Sequence, residues 1–164
     1  MKYFKYDDIL LADFDGVFLD SQEKHLQIMG TEKDFTMWMK YLTNIDWYTF
    51  LRSCSEIEGA TETFLELQKL NILKGFITRI HSFDEGKEKA LIVREKGLYV
   101  PIYYTLPLQS KSMVYKPDNK TIIIDDDPMN TEDWEKMGGR ALLYDSNCSK
   151  STKKIIKKLP HLLE

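Results

Sequence analysis

"LLADFDGVFLDS" (10–21) and "TIIIDDDPMN" (121–130) decide how this chain is read. Each begins as a short apolar run and breaks into aspartates: Asp13, Asp15 and Asp20 in the first, Asp125, Asp126 and Asp127 in the second. Carboxylates roughly 4 Å apart repel by about 4 kcal/mol at an effective dielectric near 20. A set of them brought together must share protons or a cation to persist. The two stretches are about a hundred residues apart, so the question is whether the fold joins them.

The pattern around them says that it does. "ILLADF" reads as a buried strand, and "SQEKHLQIM" as a short helix entered at a Ser and stopped by Gly30. "GATETFLELQKLN" (59–71) carries Phe64, Leu67 and Leu70 on one helical side, and "KGFITRI" follows as a strand. "DEGKEKALIVREKG" (84–97) reads as a helix, acidic at its start and ended by Gly97. "PIYYTL", "KTIIID" and "RALLYD" read as strands, "NTEDWEKMGG" as a capped helix with a glycine stop, and "SKSTKKIIKKL" as a basic terminal helix. Strands alternating with helices predict a Rossmann-like α/β fold, a parallel sheet with helices on both faces. Ligands of such sheets bind beyond the carboxyl ends of the strands, where Asp13, Asp15, Thr78 and Asp125–Asp127 fall. Residues 31–57 differ in composition from the rest. They hold Phe35, Trp38, Tyr41, Trp47, Tyr48 and Phe50, with helical spacing in parts, and predict one or two short helices.

Bulk properties narrow the function. A chain of 164 residues, 43% hydrophobic and 30% charged, suits one soluble globular domain with a real core. A net charge of −3 gives no broad attraction to nucleic acid or anionic membrane. The run Ile9–Ala12 is too short for a signal peptide or membrane span, so a cytoplasmic location is expected. Cys54 and Cys148 have no metal-site spacing and read as free thiols in a reducing compartment.

A hard divalent cation with oxygen ligands answers the repulsion best. Mg²⁺ takes one or two carboxylates and leaves positions for water and substrate phosphate. A calcium loop is excluded: counting from Asp13, position 6 is Phe18 rather than Gly and position 12 is Lys24 rather than Glu. A strand-end carboxylate can also attack phosphorus, provided that the phosphate charge is neutralised. Asp13 would attack. Asp15, two residues on, would protonate the leaving oxygen and then deprotonate water. Gly16 would permit a tight turn with backbone N–H groups toward the phosphate.

The ordered set DxDGVxxD (13–20), the threonine of "FITR" (Thr78), a lysine in "SKSMVYKP" and "IIIDDDPMN" resembles the four motifs of the haloacid dehalogenase-like phosphohydrolase superfamily. The resemblance runs from about residue 9 to about 145. It implies Asp13 as nucleophile, Asp15 as acid/base that also binds Mg²⁺ through its backbone carbonyl, and Thr78 as a donor to the phosphoryl oxygens. It also implies that Asp125 and Asp126 complete the metal site. Asp127 exceeds the usual pair, so which aspartates touch the metal is left open. Lys111 is the expected lysine, with Lys116 the alternative. Trp134, Gly138 and Gly139 after the acidic motif resemble the 5′(3′)-deoxyribonucleotidase branch, which implies a small helical cap over residues 21–57 inserted into a core domain of 1–20 and 58–164.

The expected activity is therefore Mg²⁺-dependent hydrolysis of small phosphomonoesters, nucleoside monophosphates first, through an aspartyl-phosphate. Rival readings are a polynucleotide 3′-phosphatase, another small-metabolite phosphatase, and a phosphate-binding module of the same fold without turnover. A small phosphorylated substrate is the expected partner. Nucleic acid and membrane are not, and the oligomeric state is left open. Arg79 beside Thr78 and the cap residues Trp38 and Trp47 are the candidate substrate contacts, the tryptophans by stacking on a base. For any one cap aromatic, packing alone is the plainer role. Arg52 and Lys40 are weaker candidates for a second charged group of the substrate, and His81 is the most interesting of the three histidines.

Overall fold

The structure is a computed structural model that describes residues 1–30, 34–147 and 154–164. Six parallel strands form one sheet: β1 (Ile9–Ala12), β2 (Leu73–Arg79), β3 (Ile102–Thr105), β4 (Thr121–Asp125), β5 (Arg140–Tyr144) and β6 (Ile155–Ile156), in the order β3-β2-β1-β4-β5-β6. The expected α/β parallel sheet is present. β1 and β4 are buried along nearly their whole length because they lie inside the sheet and helices cover both of its faces, which explains their near-continuous aliphatic sequence. Alternation along them still separates two faces. Leu10, Ala12, Phe76, Ile122 and Ile124 face one core, while Leu11, Ile77 and Ile123 face a second around Trp134.

The helices α4 (Ala60–Lys69) and α5 (Phe83–Glu95) cover the first face, with Phe64, Leu67, Ile92 and Val93 in its core. The short α6 (Lys111–Val114) and α7 (Pro128–Lys136) lie on the other side, where Trp134 is fully buried. α7 begins earlier than "NTEDWEKMGG" suggests. Asp127 caps it, its side chain accepting from the Met129 N–H, and Pro128 takes the first helical position where no N–H is needed. The terminal segment is also not the expected basic helix over its described part. Ile155 and Ile156 add an edge strand beside Leu143 and Tyr144, and a 3₁₀ turn follows over Leu159–Leu163. Apolar burial at the sheet edge outweighs the helical pattern of the lysines there. The segment's earlier residues, and Cys148, lie outside the described residues. Cys54 is a free thiol.

Between β1 and α4 the chain makes three helices: α1 (Ser21–Met29), α2 (Phe35–Asn44) and α3 (Trp47–Ser53). Asp20, Asp34 and Asp46 cap them, each accepting from a backbone N–H of the first turn. The insertion leaves and returns through a neck, where Leu19 bridges Glu56, the Asp20 N–H donates to Ser55 O and the Ile57 N–H donates to Phe18 O. Leu42, Trp47, Phe50 and Leu51 join the same apolar core as the first sheet face. Arg52 ties α3 to α5 through Glu88 and Glu95, each at 2.8 Å, so its charge is matched within the fold rather than offered to a substrate. Lys40 is exposed.

The direction of strand addition reverses at β1, with β2 and β3 on one side and β4, β5 and β6 on the other. The crevice above the carboxyl ends of β1 and β4 is thus the expected ligand site. Ala12 is level with Ile124, and the Asp13 N–H donates to Ile124 O, so Asp13 and Asp125 emerge side by side.

Candidate active site

Two buried lysines organise the strand ends. Lys111, at the start of α6, places Nζ 2.8 Å from Asp13 Oδ1 and 2.7 Å from Asp125 Oδ2. Lys116 is exposed, so of the two lysines considered only Lys111 reaches the carboxylates. Asp13 Oδ1 also accepts from the Phe14 N–H, and Asp125 Oδ1 from the Asp127 N–H and Asn130 Nδ2. The carboxylates of Asp13, Asp125 and Asp126 bring oxygens within 4.8 Å of one another. Asp127 is turned to its cap.

Three carboxylates face one ammonium there, which leaves two negative charges over. Burial, and then the neighbouring Asp125, push Asp126 up to about 7. Burial likewise raises Asp13 above the usual carboxylate range, against the pull of Lys111. Asp13 and Asp125 hold Lys111 protonated despite its burial. Among these side chains the ligand atoms are all oxygens, close enough to meet on one ion. The donor set fits a hard divalent cation such as Mg²⁺, held by Asp13, Asp125 and Asp126. The Asp15 side chain is not among these groups.

Asp15 belongs to the second lysine. Its Oδ2 accepts from Lys89 Nζ at 2.6 Å and Thr78 Oγ1 at 3.1 Å, and its Oδ1 from Ser21 Oγ at 2.6 Å. Burial raises its pKa, but the Lys89 charge and these hydrogen bonds prevail and hold it below the usual range. Thr78 is fully buried at the end of β2. The sequence reading missed Lys89 and its partner Glu85, because "DEGKEKALIV" reads as an ordinary charged helix. The signal available was a Glu85–Lys89 pair at i, i+4 on the side that also carries Ile92 and Val93.

Gly16 sits in a tight turn after β1. Its N–H donates to Leu19 O at 2.8 Å and is not turned to a ligand. Its φ of +74° and its missing side chain both matter, since a Cβ there would collide with Asp126 Oδ2.

Above these groups opens a cavity of about 560 Å³, lined in part by Asp13, Asp15, Lys111, Arg79, Trp38 and His25. Arg79 is exposed and forms no ion pair among the described residues. Trp38 reaches the cavity wall. Trp47 does not: it is 5% exposed and packs on Phe50, so of the two tryptophans only Trp38 is placed to meet a ligand. Phe35, on the rim and 76% exposed, is an aromatic wall residue that sequence reading did not single out. His25 also faces the cavity. It stacks on Phe50 at 4.3 Å and pairs Nδ1 with Tyr41 Oη at 2.9 Å, and burial lowers its pKa to about 4. His81 lines the same cavity, and Gln22 reaches across from α1 to Asp126 Oδ2 at 2.8 Å.

Comparison with known proteins supports the fold. A haloacid dehalogenase-like family hydrolase from Streptococcus pneumoniae matches with a TM-score of 0.62 at 13% identity, over 99% of this chain and 98% of that one. A family IA, variant 3 hydrolase of the same superfamily from Entamoeba histolytica matches with a TM-score of 0.53 at 12% identity, over 94% of each chain. A superfamily hydrolase from Ehrlichia chaffeensis gives a TM-score of 0.52 at 12% identity, over 94% of this chain and 93% of that one. No family model and no curated protein matches the sequence. The fold is thus that of the haloacid dehalogenase-like hydrolases. Among the described residues no helix is long and apolar enough to cross a membrane.

Proposed function

We propose that this chain is a Mg²⁺-dependent phosphatase that hydrolyses small phosphomonoesters, nucleoside monophosphates first among them, through a phosphorylated Asp13. The observation that carries the reading is the meeting of Asp13, Asp125 and Asp126 around Lys111 at the β1/β4 crevice, under an open cavity. Asp13 Oδ attacks phosphorus and the bond to the ester oxygen breaks; Asp15, an ionised carboxylate at rest, relays to that oxygen the proton that a monoanionic phosphoester brings. Water then attacks the same phosphorus and gives its proton to Asp15. The Asp13–phosphorus bond breaks and phosphate leaves. Lys111 lines the cavity and offsets the charge that gathers on the phosphoryl oxygens, whereas Thr78, expected to donate to them, is fully buried and donates to Asp15 instead. Asp13, Asp125 and Asp126 would hold a divalent cation, which would supply the remaining positive charge.

Nucleoside monophosphates come first because the wall offers flat surfaces. Trp38 and Phe35 border the cavity and can stack on a base, worth about 1–3 kcal/mol for each stacked base. Arg79 adds an unpaired positive charge near the mouth. The same wall would also accept an aryl phosphate.

The test is phosphate release over deoxy- and ribonucleoside monophosphates, sugar phosphates, an aryl phosphate and a 3′-phosphorylated oligonucleotide. Each is run with Mg²⁺, with chelator and with Asp13→Asn. Mg²⁺- and Asp13-dependent release, fastest from mononucleotides, is the expected result. Release only from other esters would discard the substrate, and release by Asp13→Asn at the normal rate would discard the nucleophile.

A further inference from the structure

Lys89 is completely buried, yet it is an ammonium and the chemistry above gives it no step. Its Nζ lies 2.6 Å from Asp15 Oδ2, 2.8 Å from Glu85 Oε1, 2.8 Å from Arg79 O and 3.0 Å from Thr78 Oγ1. It also sits 5.3 Å from the centre of the Phe14 ring. Burying such an ion costs several kcal/mol before pairing repays it, and an apolar side chain of similar volume commonly serves stability as well or better. The next turn of α5 does so, with Ile92 and Val93 in the core. Helix support alone does not ask for this arrangement either, because a Glu–Lys pair that serves a helix works at the surface.

What the ammonium reaches is more informative than what it costs. Asp15 projects from the loop after β1, and a carboxylate there is free to rotate. Ser21 from α1 holds one oxygen, and Thr78 from β2 and Lys89 from α5 hold the other. Lys89 is fixed in turn. Glu85 holds it from one helical turn back, and Glu85 Oε2 accepts from the His81 N–H at 2.6 Å and faces His81 Nδ1 at 3.1 Å. The start of α5 is itself anchored, with the Glu85 N–H donating to Ser82 Oγ.

We propose that Lys89 is a positioning residue, which pins the Asp15 carboxylate and the Thr78 hydroxyl in the geometry that proton transfer to the leaving oxygen requires, with Glu85 holding Lys89 in place. The proposal rests on the phosphatase reading for its catalytic consequence. A misplacement of about 1 Å costs on the order of 100-fold in rate. The loss falls on the step in which the leaving oxygen needs a proton.

Lys89→Met is the first test, with the double variant Lys89→Met/Glu85→Gln beside it. The double variant removes equal and opposite charges and keeps the fold accessible if the single one is unstable. First-turnover release of nucleoside from a nucleoside monophosphate falls by about 100-fold in both. First-turnover release of p-nitrophenol from p-nitrophenyl phosphate changes little, because that phenolate leaves without a proton. A crystal structure of either variant shows the Asp15 carboxylate rotated from Thr78. Equal losses on both esters, or no loss, overturn the proposal, as does an Asp15 that keeps its place without Lys89. Wild-type protein that releases phosphate from no ester overturns the phosphatase reading and the catalytic consequence with it. The crystal structures then still decide whether Lys89 sets Asp15.

Discussion

Lys111 and Lys89 are both buried ammoniums between two carboxylates, yet their surroundings differ. Around Lys111 the negative charge is in excess, because Asp126 joins Asp13 and Asp125 at the cavity floor. Around Lys89 the charges balance more nearly: Asp15, Glu85, Thr78 and a backbone carbonyl surround it, no further carboxylate pairs with it among the described residues, and Asp15 also borders the cavity. The first cluster is unfinished, and on the proposed function a cation and a phosphate complete it. The second is balanced without a cation, and on the positioning proposal its lysine works by holding Asp15 still. A buried ion pair alone does not mark a reactive centre. The unbalanced one does.

The largest effect should come from the unfinished side. Asp13→Asn should cut phosphate release by at least about a thousandfold while leaving the thermal unfolding midpoint close to wild type, since one oxygen is exchanged without a change of volume. Retained activity would remove the centre from the Lys111 side.

The two lysines should next separate by their response to Mg²⁺. Lys111→Met and Lys89→Met each leave carboxylates buried without their counter-charge, at a cost of about 3–5 kcal/mol in urea unfolding. Mg²⁺ should restore more stability to Lys111→Met than it adds to wild type, because the cation meets the same carboxylates. It should give Lys89→Met no such extra gain. Equal gains would make the two clusters equivalent.

A pH series sharpens the same contrast. The Asp126 value rises on folding from 3.8 to about 7, so between those limits the folded chain binds more protons than the unfolded one. Stability without Mg²⁺ should fall as pH rises from about 4 to about 7. Saturating Mg²⁺ should weaken that slope by favouring the ionised form, and Asp126→Asn should reduce it, leaving the part that the raised Asp13 carboxyl contributes. Chemical denaturation across the range, with and without Mg²⁺, measures both.

The smallest effect lies at the wall, beyond both lysines. Trp38→Ala should raise KM for nucleoside monophosphates by about tenfold and leave an aryl phosphate less affected. Trp47→Ala should cost stability without changing the ratio between substrates. Steady-state kinetics on the two esters decide it, and equal effects would reduce Trp38 to packing.

Much of this was legible in the chain. Strand ends marked by Asp13, Thr78 and Asp125 announce themselves because aliphatic runs stop at polar residues, and the alternation of strands and helices arranges those ends on one rim. Lys89 was hidden because a charge inside a charged helix looks like a solvated face. The exposure of a helix side depends on what packs against it. Trp38 and Trp47 could not be told apart for the same reason, since both lie in an aromatic-rich segment and only the packing of α1, α2 and α3 turns one to the cavity and the other to the core. The terminal lysine-rich run misled more directly. Local pattern favoured a helix, and an open sheet edge took Ile155 and Ile156 as a strand.

By itself the sequence determined the alternating architecture, the strand-end aspartates and the order of the motifs, because these follow from local hydrophobic period and from residues adjacent in the chain. Tertiary structure alone decided that Asp127 caps a helix while Asp126 joins the cluster, that Gly16 makes room for that carboxylate, and that Lys89 rather than solvent meets Asp15. Those outcomes depend on distances between segments far apart in the chain. Such distances are set by the register of β1 against β4 and by the packing of α5 on the sheet, neither of which a local pattern contains.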